Sequence, residues 1–171
     1  MDNVLNTIQF PDEVNVDDCP IVSTEMLKYF YEKGKVLTVK GENYTLFING
    51  KNIVNFENEL KTMLVFRQEN DGISFTVNDG NKLCSDIVID ISEIVTNEKY
   101  LYLYNDNEQK YERIEIEDLS LLCIDAGGTY LLTNSKLSGL EINTALIIVG
   151  GLMLVIGAAI YIGVKKQYWF W

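Results

Sequence analysis

Histidine is absent from this sequence of 171 residues. That removes the Ser-His-Asp triad, the Cys-His dyad, His-ligated zinc and His-bound haem. Carboxylates remain, with 25 Asp and Glu against 14 Lys and Arg and a net charge of -11. Asp86 and Asp90 stand four apart in a strand-like stretch and so project from one face. Glu115 and Glu117 do likewise, with Asp118 beside them. Such a pair can serve as acid and base in glycoside hydrolysis. Alternating acids are also the pattern of the solvated face of a half-buried strand, so no catalytic residue is assigned. Asn78-Asp-Gly-Asn81 and Asn105-Asp-Asn-Glu108 gather hard oxygen donors of the kind calcium takes. Neither has EF-hand spacing, and Asn and Asp are ordinary turn formers. Calcium is therefore a weak candidate, and no cofactor or metal ligand is assigned. Binding to nucleic acid is not expected of so acidic a chain, because that affinity comes from Lys and Arg neutralising phosphates.

The glycines of Asn49-Gly-Lys51 and Ala126-Gly-Gly128 match neither a P-loop nor a dinucleotide fingerprint, and turn formation accounts for both. Cys19, Cys84 and Cys123 show no C-x-x-C spacing, and their odd number argues against a disulfide framework. Cys84 and Cys123 sit in apolar, strand-like contexts and read as buried small hydrophobes, with a Cys84–Cys123 bridge left open. Ten tyrosines are the remaining resource. Tyr100, Tyr102 and Tyr104 alternate with Leu101 and Leu103, so they share one strand face. The stripe reads first as a cross-strand packing row. It is also the candidate binding patch, since aromatic faces stack on sugars and on protein surfaces.

The elements that position these residues are mostly strands. Residues 1–20 read as an acidic leader or linker, contributing one edge strand at most. Ser23 or Thr24 caps a short helix running to about Lys33, with Gly34 as its stop. Met26, Leu27, Phe30 and Tyr31 form its apolar face. From Lys35 the period changes to two. Residues 35–40 and 44–48 alternate, and further strand-like runs recur near residues 63–66, 73–77, 86–91, 100–104, 111–116, 120–124 and 129–133, separated by turn residues. Eight or nine short strands in about 100 residues predict an antiparallel β-sandwich over residues 21–137, with one short N-terminal helix.

Residues 138–144 read as a linker to an uncharged run of 20 residues, from Ala145 to Val164. At about 1.5 Å per residue a helix of that length spans roughly 30 Å, the hydrocarbon thickness of a bilayer. This predicts a single C-terminal transmembrane α-helix. Lys165 and Lys166 close the run, and the tail of residues 165–171 carries Trp169 and Trp171, which suit the headgroup layer. Gly150, Gly151 and Gly157 recur near a heptad and would permit close helix approach, so self-association of the span is a further expectation. All 25 acids lie at or before Glu141, which leaves 12 basic residues before the span and a charge of −13 there. The basic pair after the span predicts a cytoplasmic C-terminus and an extracytoplasmic N-terminal domain. Residues 1–10 have neither the basic nor the apolar region of a signal peptide. The outward-facing reading therefore calls for a longer exported precursor, whereas a tail-anchored protein with a cytosolic domain does not.

Ile21-Val-Ser-Thr-Glu-Met-Leu27, Gly34-Lys-Val-Leu-Thr-Val39, Tyr44-Thr-Leu-Phe-Ile-Asn-Gly-Lys-Asn-Ile53, Lys99-Tyr-Leu-Tyr-Leu-Tyr104 and Gly127-Gly-Thr-Tyr-Leu-Leu-Thr133 form a recurrent texture over about residues 21–137. It resembles the β-rich accessory modules found near the C-terminus of cell-surface proteins of clostridia and related Firmicutes. The resemblance implies an extracytoplasmic, non-catalytic module. No Leu-Pro-x-Thr-Gly sorting sequence precedes the span, which leaves the helix as the anchor. The expected function is thus a single-pass, membrane-anchored surface module acting as spacer or binding unit. Its expected partners are the lipid bilayer and a protein or cell-wall glycan. The tail-anchored protein with a cytosolic protein-binding domain is the alternative. A carboxylate-based glycan-active enzyme ranks below both.

Overall fold

The first turn of helix α1 (Thr24–Lys33) is set by Ser23, whose side chain accepts from the Met26 N–H at 3.3 Å. It ends at Gly34, which sits in the left-handed region with φ 60°. A side chain there would be strained, and the Gly34 N–H closes the helix onto Tyr31 O at 3.1 Å. Met26, Leu27 and Phe30 are buried. Tyr31, expected on the same face, is 50% exposed. It stands at the margin of the apolar stripe and meets Phe56 edge to face, with ring centroids 5.3 Å apart.

In this computed structural model, residues 9–70 and 72–137 are described. The chain divides into a unit ending at Ser135 and another beginning at Lys136. Residues 138–171 lie outside the described residues. With them go the expected linker, transmembrane helix and tail, including Ala145, Gly150, Gly151, Gly157, Val164, Lys165, Lys166, Trp169 and Trp171. Among the described residues no helix is long and apolar enough to cross a membrane.

The first unit is mainly β. One five-stranded sheet contains β1 (Glu13–Asn15), β3 (Val36–Lys40), β4 (Thr45–Asn49), β8 (Ile87–Asp90) and β11 (Leu121–Ile124), neighbours in that order. A second contains β10 (Lys110–Ile114), β9 (Tyr100–Asn105), β12 (Gly128–Thr133), β7 (Gly72–Val77) and β6 (Arg67–Glu69). A short pair joins β2 (Ile21–Val22) to β5 (Leu60–Lys61). The alternation seen in the sequence now has a cause. Leu37, Val39, Leu46, Ile48, Ile87, Ile89, Leu122 and Ile124 of the first sheet are all buried in the same core as Phe75, Val77, Leu101, Tyr130 and Leu132 of the second.

Two details depart from the expected antiparallel scheme. Strand β1 runs parallel to β3, with Val14 opposite Val39. The chain leaves β1, passes through α1 and returns as β3, and a crossover of that length is what parallel neighbours need. The segment read as a leader therefore holds an edge strand. It is pinned by exposed ion pairs from Lys35 to Asp12 at 2.8 Å and from Lys40 to Glu13 at 2.7 Å. The strand count also exceeds the expected eight or nine, because β1, β2, β5 and β6 are only two or three residues long. So short a run carries no readable alternation.

The cysteine expectation is corrected as well. Cys84 is buried, but it lies in the connection between β7 and β8. Cys123 lies in β11 and is exposed, because Leu122 and Ile124 take the inward positions on either side of it. All three thiols are free, and no Cys84–Cys123 bridge forms.

Candidate functional site

The register of the second sheet decides where the tyrosine stripe points. Leu101 and Leu103 face the core, so Tyr100, Tyr102 and Tyr104 face away from it. Across the sheet, Tyr104 opposes Tyr111 of β10, with rings 5.1 Å apart and edge to face. Tyr102 is opposed by Arg113 on one side and by Leu131 on the other. Leu131 in turn opposes Ser74, and Ser74 opposes Arg67. The chain's two arginines therefore share one cross-strand row, at opposite edges of one sheet. The Arg113 guanidinium lies 5.1 Å from the centroid of the Tyr100 ring. That arrangement supplies a cation–π contact.

Tyr102 is only 4% exposed and Leu131 9%, so the middle of this face is not a free stacking platform. Tyr100 and Tyr104 are half-buried, and Tyr111 is exposed. Burial pushes the Tyr111 phenol upward, and the charge of Glu69 on β6 adds to it. Strand β6 is the opposite edge of the same sheet. The face is a tyrosine-rich surface whose rings pack on one another.

A second surface lies where the β3–β4 turn meets the connection between β5 and β6. It is a groove of about 650 Å³, within the range of small-ligand clefts, about 300–1,000 Å³. Its lining includes Tyr44, Asp17, Glu42, Met63 and Val65. A smaller depression of about 260 Å³ shares the residues of that turn and is also lined by Asp90 and Glu93. Tyr44 is 7% exposed. Its hydroxyl donates to the Thr62 carbonyl at 2.8 Å and accepts the Leu64 N–H at 3.0 Å. Burial pushes its phenol upward, the Leu64 N–H opposes this and the Asp17 charge adds to it. Its ring begins a chain of contacts into the core, 5.8 Å to Phe66, then 5.2 Å to Phe75 and 5.4 Å to Tyr130.

The candidate carboxylates lie on exposed positions or in turns, with Glu115 and Glu117 exposed just after β10. Asp86 is exposed just before β8, and Asp90, at the end of that strand, accepts the Ser92 N–H at 3.0 Å. Asp118 is likewise a turn former, accepting from the Ser120 N–H at 2.9 Å. Several of the turn oxygens considered for calcium are engaged within the protein. Asn78 accepts the Lys61 N–H at 2.9 Å, Asp79 pairs with Lys61, and Asn105 accepts the Asn107 N–H at 3.0 Å. Among the described residues no group of three or more Asp, Glu or Cys side chains converges as a metal site.

Sequence reading singled out neither the groove residues nor the arginine row. The continuous apolar run Met63-Leu-Val-Phe66 was the available signal for the groove. Comparison with known proteins found no matching family model, no similar curated protein and no similar solved structure.

Proposed function

We propose that the chain is a single-pass, membrane-anchored module. In this reading the β domain is an antiparallel β-sandwich with a parallel edge strand, standing outside the cell as a non-catalytic spacer or binding unit. The observation that carries it is the uncharged run of residues 145–164, closed by Lys165 and Lys166 and placed directly after a domain of charge −13. Length, charge asymmetry and the aromatic tail agree on one helix crossing the bilayer with its C-terminus in the cytoplasm. Two sheets sharing one core suit a spacer, since such a domain is folded without a bound group.

The second reading, a tail-anchored protein with its domain in the cytosol, is favoured by the cysteines. Three free thiols, one of them exposed, fit a reducing compartment. Cys123 makes the two readings separable. On intact cells, a membrane-impermeant maleimide should label Cys123 if the domain is outside, while Cys19 and Cys84 stay silent in their buried sites. External protease should digest the same domain. Labelling and digestion only after the cells are opened would refute the outward topology and establish the tail-anchored one.

A further inference from the structure

Residues 62–66 run extended between β5 and β6 but belong to neither sheet. In an extended chain the backbone groups of alternate residues point to opposite sides. Thr62 and Leu64 spend theirs inward. The Thr62 N–H reaches Pro20 O at 3.0 Å, and the Tyr44 hydroxyl serves both the Thr62 carbonyl and the Leu64 N–H. Met63 and Val65 point the other way, and their backbones make no hydrogen bond among the described residues. Their side chains are 53% and 56% exposed. Of the exposed large hydrophobic residues described, only these two stand two apart on one extended segment. The segment is thus an open strand edge, held from its inner side, with an apolar margin.

The charge around it is one-sided. Lys40 is taken by Glu13 at 2.7 Å. Asp17 and Glu42 line the same groove and form no ion pair among the described residues. Asp90 and Glu93 extend the acidic rim into the adjoining depression. We infer that the open edge at Met63 and Val65 takes an extended peptide of alternating apolar and basic residues, added as an extra strand. Its backbone would pair with Met63 and Val65, its apolar side chains would lie beside theirs, and its basic side chains would meet Asp17 and Glu42. Strand addition of this kind draws affinity from main-chain hydrogen bonds and specificity from alternate side chains. The inference rests on the binding half of the proposed function. It does not depend on which side of the membrane the domain faces.

The test uses the full chain in nanodiscs of zwitterionic phosphatidylcholine and a fluorescein-labelled hexapeptide of alternating lysine and valine. Fluorescence anisotropy should show saturable binding, absent with empty discs. Methylating alternate peptide nitrogens, or replacing both Met63→Lys and Val65→Lys, should raise Kd at least tenfold. Asp17→Asn with Glu42→Gln should weaken binding and flatten its salt dependence. Val54→Lys, at an apolar position 79% exposed and outside the groove, should change nothing. Equal binding of the methylated peptide or of hexalysine would reduce the effect to charge alone and overturn the inference. So would the absence of saturable binding, or a concentration-dependent dimer abolished by Met63→Lys and Val65→Lys, which would assign the edge to a second copy. Protection from external protease would refute the outward topology and leave the peptide site standing.

Discussion

Replacing Tyr44→Phe isolates one hydroxyl that ties the segment between β5 and β6 to the β3–β4 turn. The ring stays, and with it the contact to Phe66 at 5.8 Å. What goes is a donor 2.8 Å from the Thr62 carbonyl and an acceptor 3.0 Å from the Leu64 N–H. Both bonds are buried, and Thr62 and Leu64 are 0% and 6% exposed. A buried polar group left without a partner costs about 1–3 kcal/mol. The carbonyl stands at the lower end because Tyr44 borders an open groove that admits water, so the pair should cost about 2–3 kcal/mol. For a domain of this size, that lowers Tm by roughly 8–12 °C. Urea unfolding followed by far-UV circular dichroism gives the stability, and hydrogen exchange read by mass spectrometry localises the change. Exchange should accelerate first in residues 60–66, while the β3–β4 hairpin stays protected until global unfolding. A loss below about 0.5 kcal/mol, with unchanged exchange at Leu64, would refute the idea that this hydroxyl fixes the segment.

Three further outcomes follow from particular contacts. Gly50→Ala should destabilise by about 2 kcal/mol or more, since overpacking costs about 1–3 kcal/mol and the new Cβ would stand 2.1 Å from Phe30 O, a backbone atom with nowhere to move; thermal unfolding measures it. Ser23→Ala should cost about 1 kcal/mol through loss of the helix cap, with faster exchange confined to the first turn of α1. Tyr130 carries the pH prediction. Burial, with the Asp125 charge adding to it, pushes its phenol above the ordinary 10.0. Above that pH the unfolded state releases the proton while the folded state keeps it, so stability holds below about pH 10 and falls as pH rises further. Tyr130→Phe should flatten that alkaline slope, and it should also cost about 1 kcal/mol at neutral pH for the hydrogen bond to Ala126 O at 2.6 Å. Urea midpoints from pH 7 to 11 test both effects.

The legible parts of the fold were those whose information is local. The helix reads from Ser23 to Gly34 because its cap, apolar face and stop are contiguous, and the structure has Thr24–Lys33 between those caps. The strands with a buried face read well for the same reason. The run expected at residues 100–104 is observed at Tyr100–Asn105, and that at 129–133 at Gly128–Thr133. The failures are non-local. Strand β1 has three residues and exists because β3 offers it an edge. Cys123 looked buried because Leu122 and Ile124 flank it, yet those same neighbours force it outward. The tyrosine stripe was legible as a row, but Arg67 is 46 residues from Arg113, and only the pairing of five strands brings them into line.

The two surfaces differ in what an incoming ligand would have to displace, and this decides between them. On the tyrosine face the groups are already committed. Tyr104 meets Tyr111, Arg113 covers Tyr100, and Tyr102 is buried. A sugar stacking there would first break a cation–π contact worth about 0.5–1 kcal/mol at an exposed site. At the groove, the backbone groups of Met63 and Val65 make no hydrogen bond, and Asp17 and Glu42 no ion pair, among the described residues. Tyr44 holds their segment extended from the other side, so the ordering cost that weakens most strand additions is met by the fold before any partner arrives. The tyrosine face is thus the less available of the two surfaces. The proposed capacity to bind lies in Met63-Leu-Val-Phe66, four residues that the sequence presents as one more strand and that pair with no strand among the described residues.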